Sequence, residues 1–247
     1  MAQLIQLERC ISRYQIDVYR YAGRFIHQKK RRLEQYKEKH KGEIDQKGMA
    51  SFYNRFFQQQ LNWATTTATE ASGLPERYRM DLWLRTLLKR LDETVLMLYE
   101  PVLLYREAAV PADIILVTPY KIWTLKMITG ESGSVFQPYD RRQWKEIRSE
   151  SIHYTVNPLI SLQRTTEMVR KIFNEHDIQW AVYPCLLVPE SYVEFSNPNA
   201  LERIIDRTQL DAWFKELSSY RATLKRDQLH AAEILLKHSE VVSEPRT

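Results

Sequence analysis

Two short apolar runs, Asp113–Thr118 and Ile122–Ile128, stand three residues apart, joined by Pro119-Tyr120-Lys121. Each run has the length and composition of a strand, and a link this short with a turn residue in it fits a hairpin. Strands joined by a hairpin must be antiparallel, so a purely parallel, doubly wound sheet is excluded. Val102-Leu103-Leu104-Tyr105 reads as a further strand before the hairpin, and Trp180–Val188 as a buried strand after it. With helical patterns on either side, the order predicts an α/β protein with a mixed sheet.

The helices follow from apolar spacing. Leu7, Ile11, Tyr14, Val18, Tyr21 and Phe25 recur at steps of four and three, which puts them on one stripe. A strongly charged continuation runs to about Asp45, and a second, aromatic helix follows with Phe52, Tyr53, Phe56, Phe57 and Leu61 inward. Residues 1–66 thus read as a helical hairpin. The polar stretch from Thr65 ends in Gly73-Leu74-Pro75, a breaker pair that marks a boundary. A helix is expected from Glu76 to Leu98, with Leu84, Leu87, Leu88, Leu91, Val95 and Leu98 buried. Asn157-Pro158 opens another, because Asn caps free N–H groups and Pro suits the first helical position. Its buried stripe is Leu159, Leu162, Thr166, Val169 and Phe173. Two amphipathic helices are expected over 200–217 and 220–239, with fraying from Val241 onward. The chain divides into a helical extension (1–72), an α/β domain (73–195) and C-terminal helices (196–247).

Charge and cysteine content exclude little. The chain has 36 Lys and Arg against 31 Asp and Glu, a net +5, which tolerates a polyanionic partner without demanding one. Cys10 and Cys185 show no metal-type spacing, so a reduced, cytoplasmic protein without a disulfide framework is expected. The N-terminal residues resemble neither a signal nor a transit peptide, and no apolar run reaches the roughly 20 residues of a membrane span.

The order of Ala112–Lys126 (ADIILVTPYKIWTLK), Gly130 and Gly133, Trp144, Asn157–Gln163 (NPLISLQ) and a closing strand resembles the nuclease-related domain, NERD. That family belongs to the restriction-endonuclease-like, or PD-(D/E)xK, fold group. The resemblance covers about half the chain, from roughly Asp81 to Phe195. It implies a Mg²⁺-dependent phosphodiesterase whose ion sits between a strand Asp and a Glu, with a Lys two residues beyond the Glu. Such an ion takes oxygen ligands and stabilises the phosphoryl charge, and the Lys shares the Glu's strand face. By that resemblance Asp113 is the metal-binding Asp and Lys126 the Lys. Asp81 corresponds to an additional helix acid, and Gln163 to the Gln after Asn-Pro.

Thr124 stands where the Glu belongs, and a neutral hydroxyl is a poor ligand beside a carboxylate. Two readings stay open. In one, the site is retired and the fold binds DNA or RNA or assists a partner that does. In the other, the acid has migrated, with Glu167 the first candidate and Glu131 the second, and a Mg²⁺-dependent nuclease survives. A third class is a protein-interaction scaffold that uses an apolar patch around Phe52–Phe57 and touches no nucleic acid.

The charged run from His27 to Lys47 mixes Lys29, Lys30, Arg31 and Arg32 with acids, which favours a solvated helix over a phosphate-tracking one. The six tryptophans are dispersed and are expected to serve the core. Trp123 should face away from Thr124. His153 and His176 are expected to be structural or exposed.

Overall fold

The computed structural model describes residues 1–39, 45–195, 202–219 and 222–246. Its first element is a strand, β1 (Gln3–Leu7), with all five residues buried. The helical stripe therefore begins later, in α1 (Arg13–Ile16) and α2 (Val18–Lys39), where Tyr14, Val18 and Phe25 are buried. Two buried glutamines hide the strand from a pattern reading. The Gln3 amide donates to the carbonyls of Ala22 and Glu93, and that of Gln6 to Glu8 and Cys10. Side-chain amide N–H groups satisfied by backbone in this way can sit in a core.

Helix α3 (Gln46–Trp63) buries Phe52, Phe56, Phe57 and Leu61 as expected. After the short strand β2 (Glu70–Ala71), the single helix expected from Glu76 to Leu98 is instead α4 (Glu76–Met80), α5 (Leu82–Arg90) and a strand, β3 (Leu96–Tyr99). Asp81 makes the first break. Its backbone is extended and its carboxylate accepts from the N–H groups of Trp83 and Leu84. Asp92 helps to make the second by accepting from the N–H and hydroxyl of Thr94. Leu-Met-Leu-Tyr is apolar throughout, and periodicity cannot separate a buried strand from a buried helix turn.

Strands β4 (Val102–Tyr105) and β5 (Ala108–Pro111) form a hairpin of their own, so β3 takes the sheet position expected for Val102–Tyr105. Strands β6 (Ile114–Val117) and β7 (Ile122–Met127) pair antiparallel as predicted. The Thr118 hydroxyl donates to the Lys121 carbonyl at 2.6 Å within the connecting turn. Next come β8 (Val135–Pro138), β9 (Gln143–Ile147) and β10 (Ile152–Val156), a meander without a strong apolar signature.

Helix α6 (Pro158–Glu175) starts as the sequence predicts, with Asn157 capping Leu159 and Pro158 in the first turn. All five stripe residues are buried. Strand β11 (Val182–Val188) follows, then β12 (Tyr192–Val193). Residues 203–206, expected to be helical, form β13 (Arg203–Asp206), and the helices are α7 (Leu210–Ser219) and α8 (Arg226–Lys237). The tail is docked. Strand β14 (Glu244–Pro245) pairs with β2, and the Arg246 N–H and guanidinium reach the carbonyls of Thr69 and Thr67.

The main sheet runs β1-β3-β6-β7-β11-β13. The β1–β3, β7–β11 and β11–β13 pairs are parallel, and β3–β6 and β6–β7 antiparallel, giving the mixed sheet expected. The large hydrophobic cluster draws on residues from Met1 to Leu236, so all three sequence stretches share it. A smaller cluster of Phe136, Trp144, Leu159, Leu162, Leu186 and Val188 joins the second sheet, β10-β9-β8-β12, to α6 and β11. Among the described residues no helix is long and apolar enough to cross a membrane.

Candidate functional site

The pairings bring the ends of β1, β3 and β7 and the start of β6 to one edge of the sheet. Asp113 stands just before β6, and with Ile114 opposite Leu125 it faces Lys126. The Lys126 ammonium lies 3.0 Å from Asp113 Oδ1. Helix α6 supplies the other partners. The Thr165 hydroxyl lies 3.2 Å from Oδ2, the Ser161 hydroxyl 3.4 Å from Oδ1, and the Asp113 N–H donates to Thr165 Oγ1 at 3.0 Å. The Asp113 side chain is 10% exposed and that of Lys126 32%, so the pair is enclosed on the carboxylate side and open on the ammonium side.

Thr124 shares a strand face with Lys126 but sits deeper, fully buried. Its Oγ1 is 2.7 Å from Thr166 Oγ1, and Thr166 donates its own proton to the Leu162 carbonyl. Thr124 must then be the donor in the pair. Its hydroxyl is committed to α6 and offers nothing to the Asp113 side. Trp123, alternating with it, is buried against Tyr183, with ring centres 5.7 Å apart.

Beside the ion pair opens a cleft of about 420 Å³. Asp113, Lys126, Ser161 and Arg164 line one side, and Glu8, Arg77 and Glu100 the other. Glu8 and Glu100 follow the last residues of β1 and β3, which are paired Leu7 to Tyr99. Both adopt the left-handed backbone region, with φ of 45° and 49°, a conformation that non-glycine residues rarely take. The Tyr78 hydroxyl lies 3.1 Å from Glu8 Oε2 and 3.0 Å from Glu100 Oε2. Arg77 donates to that hydroxyl at 2.6 Å and pairs with Glu8 at 3.1 Å. Burial holds the Tyr78 phenol protonated well above its usual range; Arg77 works against this and the two carboxylates add to it. Tyr78 is therefore a fixed donor. Arg164 is anchored by the Pro111 carbonyl at 3.1 Å.

Only part of the sequence-based site converges here. Successive residues of a helix turn by about 100°, so Ser161, Arg164 and Thr165 share one face while Gln163 and Glu167 point elsewhere. Glu167 is exposed and bonded to Arg170 at 2.7 Å, and Gln163 to Glu202 at 2.7 Å. Asp81 caps α5 and accepts the Tyr99 hydroxyl at 2.8 Å. Burial first, and then Asp81, keep that phenol protonated. Glu131 accepts from Ser149. None of these four lines the cleft. The acids that do, Glu8 and Glu100, each directly follow a buried run, Gln-Leu-Ile-Gln-Leu and Leu-Met-Leu-Tyr, and that placement was the available signal.

A Mg²⁺ ion would need oxygen ligands freed for it. Asp113 already holds Lys126, Thr165 and Ser161, and Glu8 and Glu100 hold Tyr78 and Arg77. Among the described residues no three Asp, Glu, His or Cys side chains converge on a common point. The donor set as it stands does not fit the ion.

Other candidate groups have structural occupations. Burial pushes the Cys10 thiol up to about 11 and the Cys185 thiol up to about 12, so neither is an activated nucleophile. His176 meets His238, with 3.1 Å between their Nε2 atoms, linking the C-terminal ends of α6 and α8. Four tryptophans are buried and Trp83 and Trp180 are partly so. On α2, Lys29 and Lys30 pair with Glu93, and Arg32 bonds to Gln59. Residues 40–44 of the charged run lie outside the described residues. Comparison of the chain with family models, with curated proteins and with solved structures finds no match.

Proposed function

We propose that the chain is a nuclease-related protein of restriction-endonuclease-like architecture whose hydrolytic site is retired and whose cleft binds nucleic acid. The architectural part rests on the order of helix, β3, β6, β7, α6 and β11, with an antiparallel trio extended by a parallel strand. The observation that carries the reading is Thr124. At the position where a second carboxylate would hold an ion stands a fully buried hydroxyl bonded to Thr166. Asp113 then acts as the counter-ion that orients Lys126, and the exposed side of the ammonium is left to meet a phosphate.

Arg77, Lys126 and Arg164 line the cleft against three carboxylates, Glu8, Glu100 and Asp113, while Arg9 is paired with Glu240 at 2.6 Å, a balanced charge suited to backbone contact rather than tight capture. The apolar patch that a scaffold would use around Phe52–Phe57 is mostly inside the protein, since Phe52, Phe56 and Phe57 are buried.

Fluorescence anisotropy with labelled single-stranded and duplex DNA, and with RNA of the same sequence, tests this reading. Binding should weaken as salt rises, and Arg164→Gln should weaken it about three- to tenfold, as loss of one phosphate contact does. Failure of the parent protein to bind any of these at low salt would remove the reading.

A further inference from the structure

The second sheet has an outer face with a different character from the cleft. On β10, Ile152, Tyr154 and Val156 are 54%, 55% and 71% exposed, and Tyr139, before β9, is 58% exposed. A strand with every residue exposed is unusual in a folded core, and this one carries large apolar groups. The Tyr139 and Tyr154 rings meet edge to face with centres 5.0 Å apart. In the register of the sheet, Tyr154 lies opposite Lys145, which in turn lies opposite Gln137.

Cations stand near the ring pair in sequence and register, with Arg141 and Arg142 just after Tyr139 and Lys145 opposite Tyr154. Asp140 spends its carboxylate on its own turn, accepting the N–H groups of Arg142 and Gln143 at 2.6 and 2.7 Å. Arg141, Arg142 and Lys145 have no carboxylate partner among the described residues. The turn is fixed to α6. The Asn157 N–H donates to the Arg142 carbonyl at 2.8 Å and its side-chain amide to that of Arg141 at 3.1 Å. About one and two helical turns further along α6 stand Ser161 and Arg164, which line the cleft.

We propose that Tyr139 and Tyr154, with Arg141, Arg142 and Lys145, form a stacking platform for single-stranded nucleic acid that leads into the Asp113–Lys126 cleft. This rests on the nucleic-acid reading of that cleft. Unpaired bases offer their faces to exposed aromatic rings, whereas the bases of a duplex are already stacked on each other. Three cations without carboxylate partners complement the phosphates that accompany those bases. Tyrosine ring pairs flanked by arginine suit this partner better than a purely apolar one, because guanidinium planes also stack on bases.

The test is anisotropy with a short labelled oligothymidine and a duplex of equal length. The parent protein should favour the single strand. Tyr139→Ala with Tyr154→Ala should weaken single-strand binding about tenfold or more and leave duplex binding unchanged. Tyr139→Trp with Tyr154→Trp should restore it. Both rings are exposed, so unchanged thermal unfolding is expected for each variant. Unchanged single-strand binding by the alanine variant, with Arg164→Gln still weakening it, would overturn the platform and leave the cleft reading standing. A parent protein that binds neither probe would overturn both. If the alanine variant instead dissolves a dimer seen by sedimentation and binds oligothymidine normally, the face is a contact between copies and the platform is overturned.

Discussion

Two enclosed carboxylates in this molecule have nearly the same surroundings and different prospects. Asp113 is paired with Lys126 at 3.0 Å, and Glu146 with Arg148 at 2.7 Å. In each pair the acid is enclosed and the base about one-third exposed, with side-chain exposures of 10% and 32% for the first and 6% and 31% for the second. Each acid also accepts further hydrogen bonds. Asp113 takes Thr165 and Ser161, and Glu146 takes the Ser134 hydroxyl and the Glu131 N–H.

What differs is the space outside. A side chain on Gly130 would overlap the Glu146 carboxylate and reach within 2.9 Å of Phe136, so that site is packed shut. Asp113 opens onto a cleft shared with Glu8 and Glu100. A buried ion pair is therefore no mark of function in itself. Here Glu146 clamps the loop after β7 to the second sheet, whereas Asp113 positions a cation at an open surface.

That contrast can be broken by mutation. Glu146→Ala should have the largest effect, a loss of about 3 kcal/mol in urea unfolding, because it removes the enclosed acceptor shared by the Glu131 N–H, the Ser134 hydroxyl and the Arg148 guanidinium. An effect under about 1 kcal/mol, the value of an exposed pair, would show that the clamp is not structural. Lys126→Met should cost less, about 1–2 kcal/mol, since Asp113 keeps two hydroxyl donors and the cleft admits water. Unlike Glu146→Ala, it should weaken nucleic-acid binding in anisotropy at a temperature where both variants are folded.

The smallest expected effect is in pH dependence. Burial pushes the Glu146 carboxyl up, but Arg148, Ser134 and the Glu131 N–H outweigh it and hold the carboxyl below the usual glutamate range. Its contribution to stability is then complete above the unfolded value and is lost as pH falls through the lower folded value, because the unfolded chain binds the proton more readily. Unfolding midpoints measured from pH 6 down to about 3 should fall less steeply in Glu146→Gln than in the parent.

The contrast also explains what could be read from the sequence. The β6–β7 hairpin was legible because a three-residue link with Pro119 leaves a hairpin as the simplest connection, and α6 because Asn157-Pro158 announces a cap. Those two elements bring Asp113, Thr124 and Lys126 together. Strands β1 and β3 were not legible. One hides behind buried glutamines that bond to backbone carbonyls, and the other is an apolar run that extends a real helix. Glu8 and Glu100 depend on those strands, so half of the cleft was invisible too. The meander was missed for another reason, since the strands are short and β10, although Ile-His-Tyr-Thr-Val alternates apolar and polar residues, buries neither face. The docked tail depends on pairing between residues far apart in sequence, which local pattern cannot report.

The central claim is that the Asp113 site holds nucleic acid without cutting it. Its most direct test is a cleavage time course on labelled single- and double-stranded DNA with Mg²⁺ or Mn²⁺, run alongside Asp113→Ala and on substrate shown by anisotropy to be bound. The account predicts intact substrate with both proteins. Cleavage by the parent that disappears in Asp113→Ala would contradict it and make the chain an active phosphodiesterase.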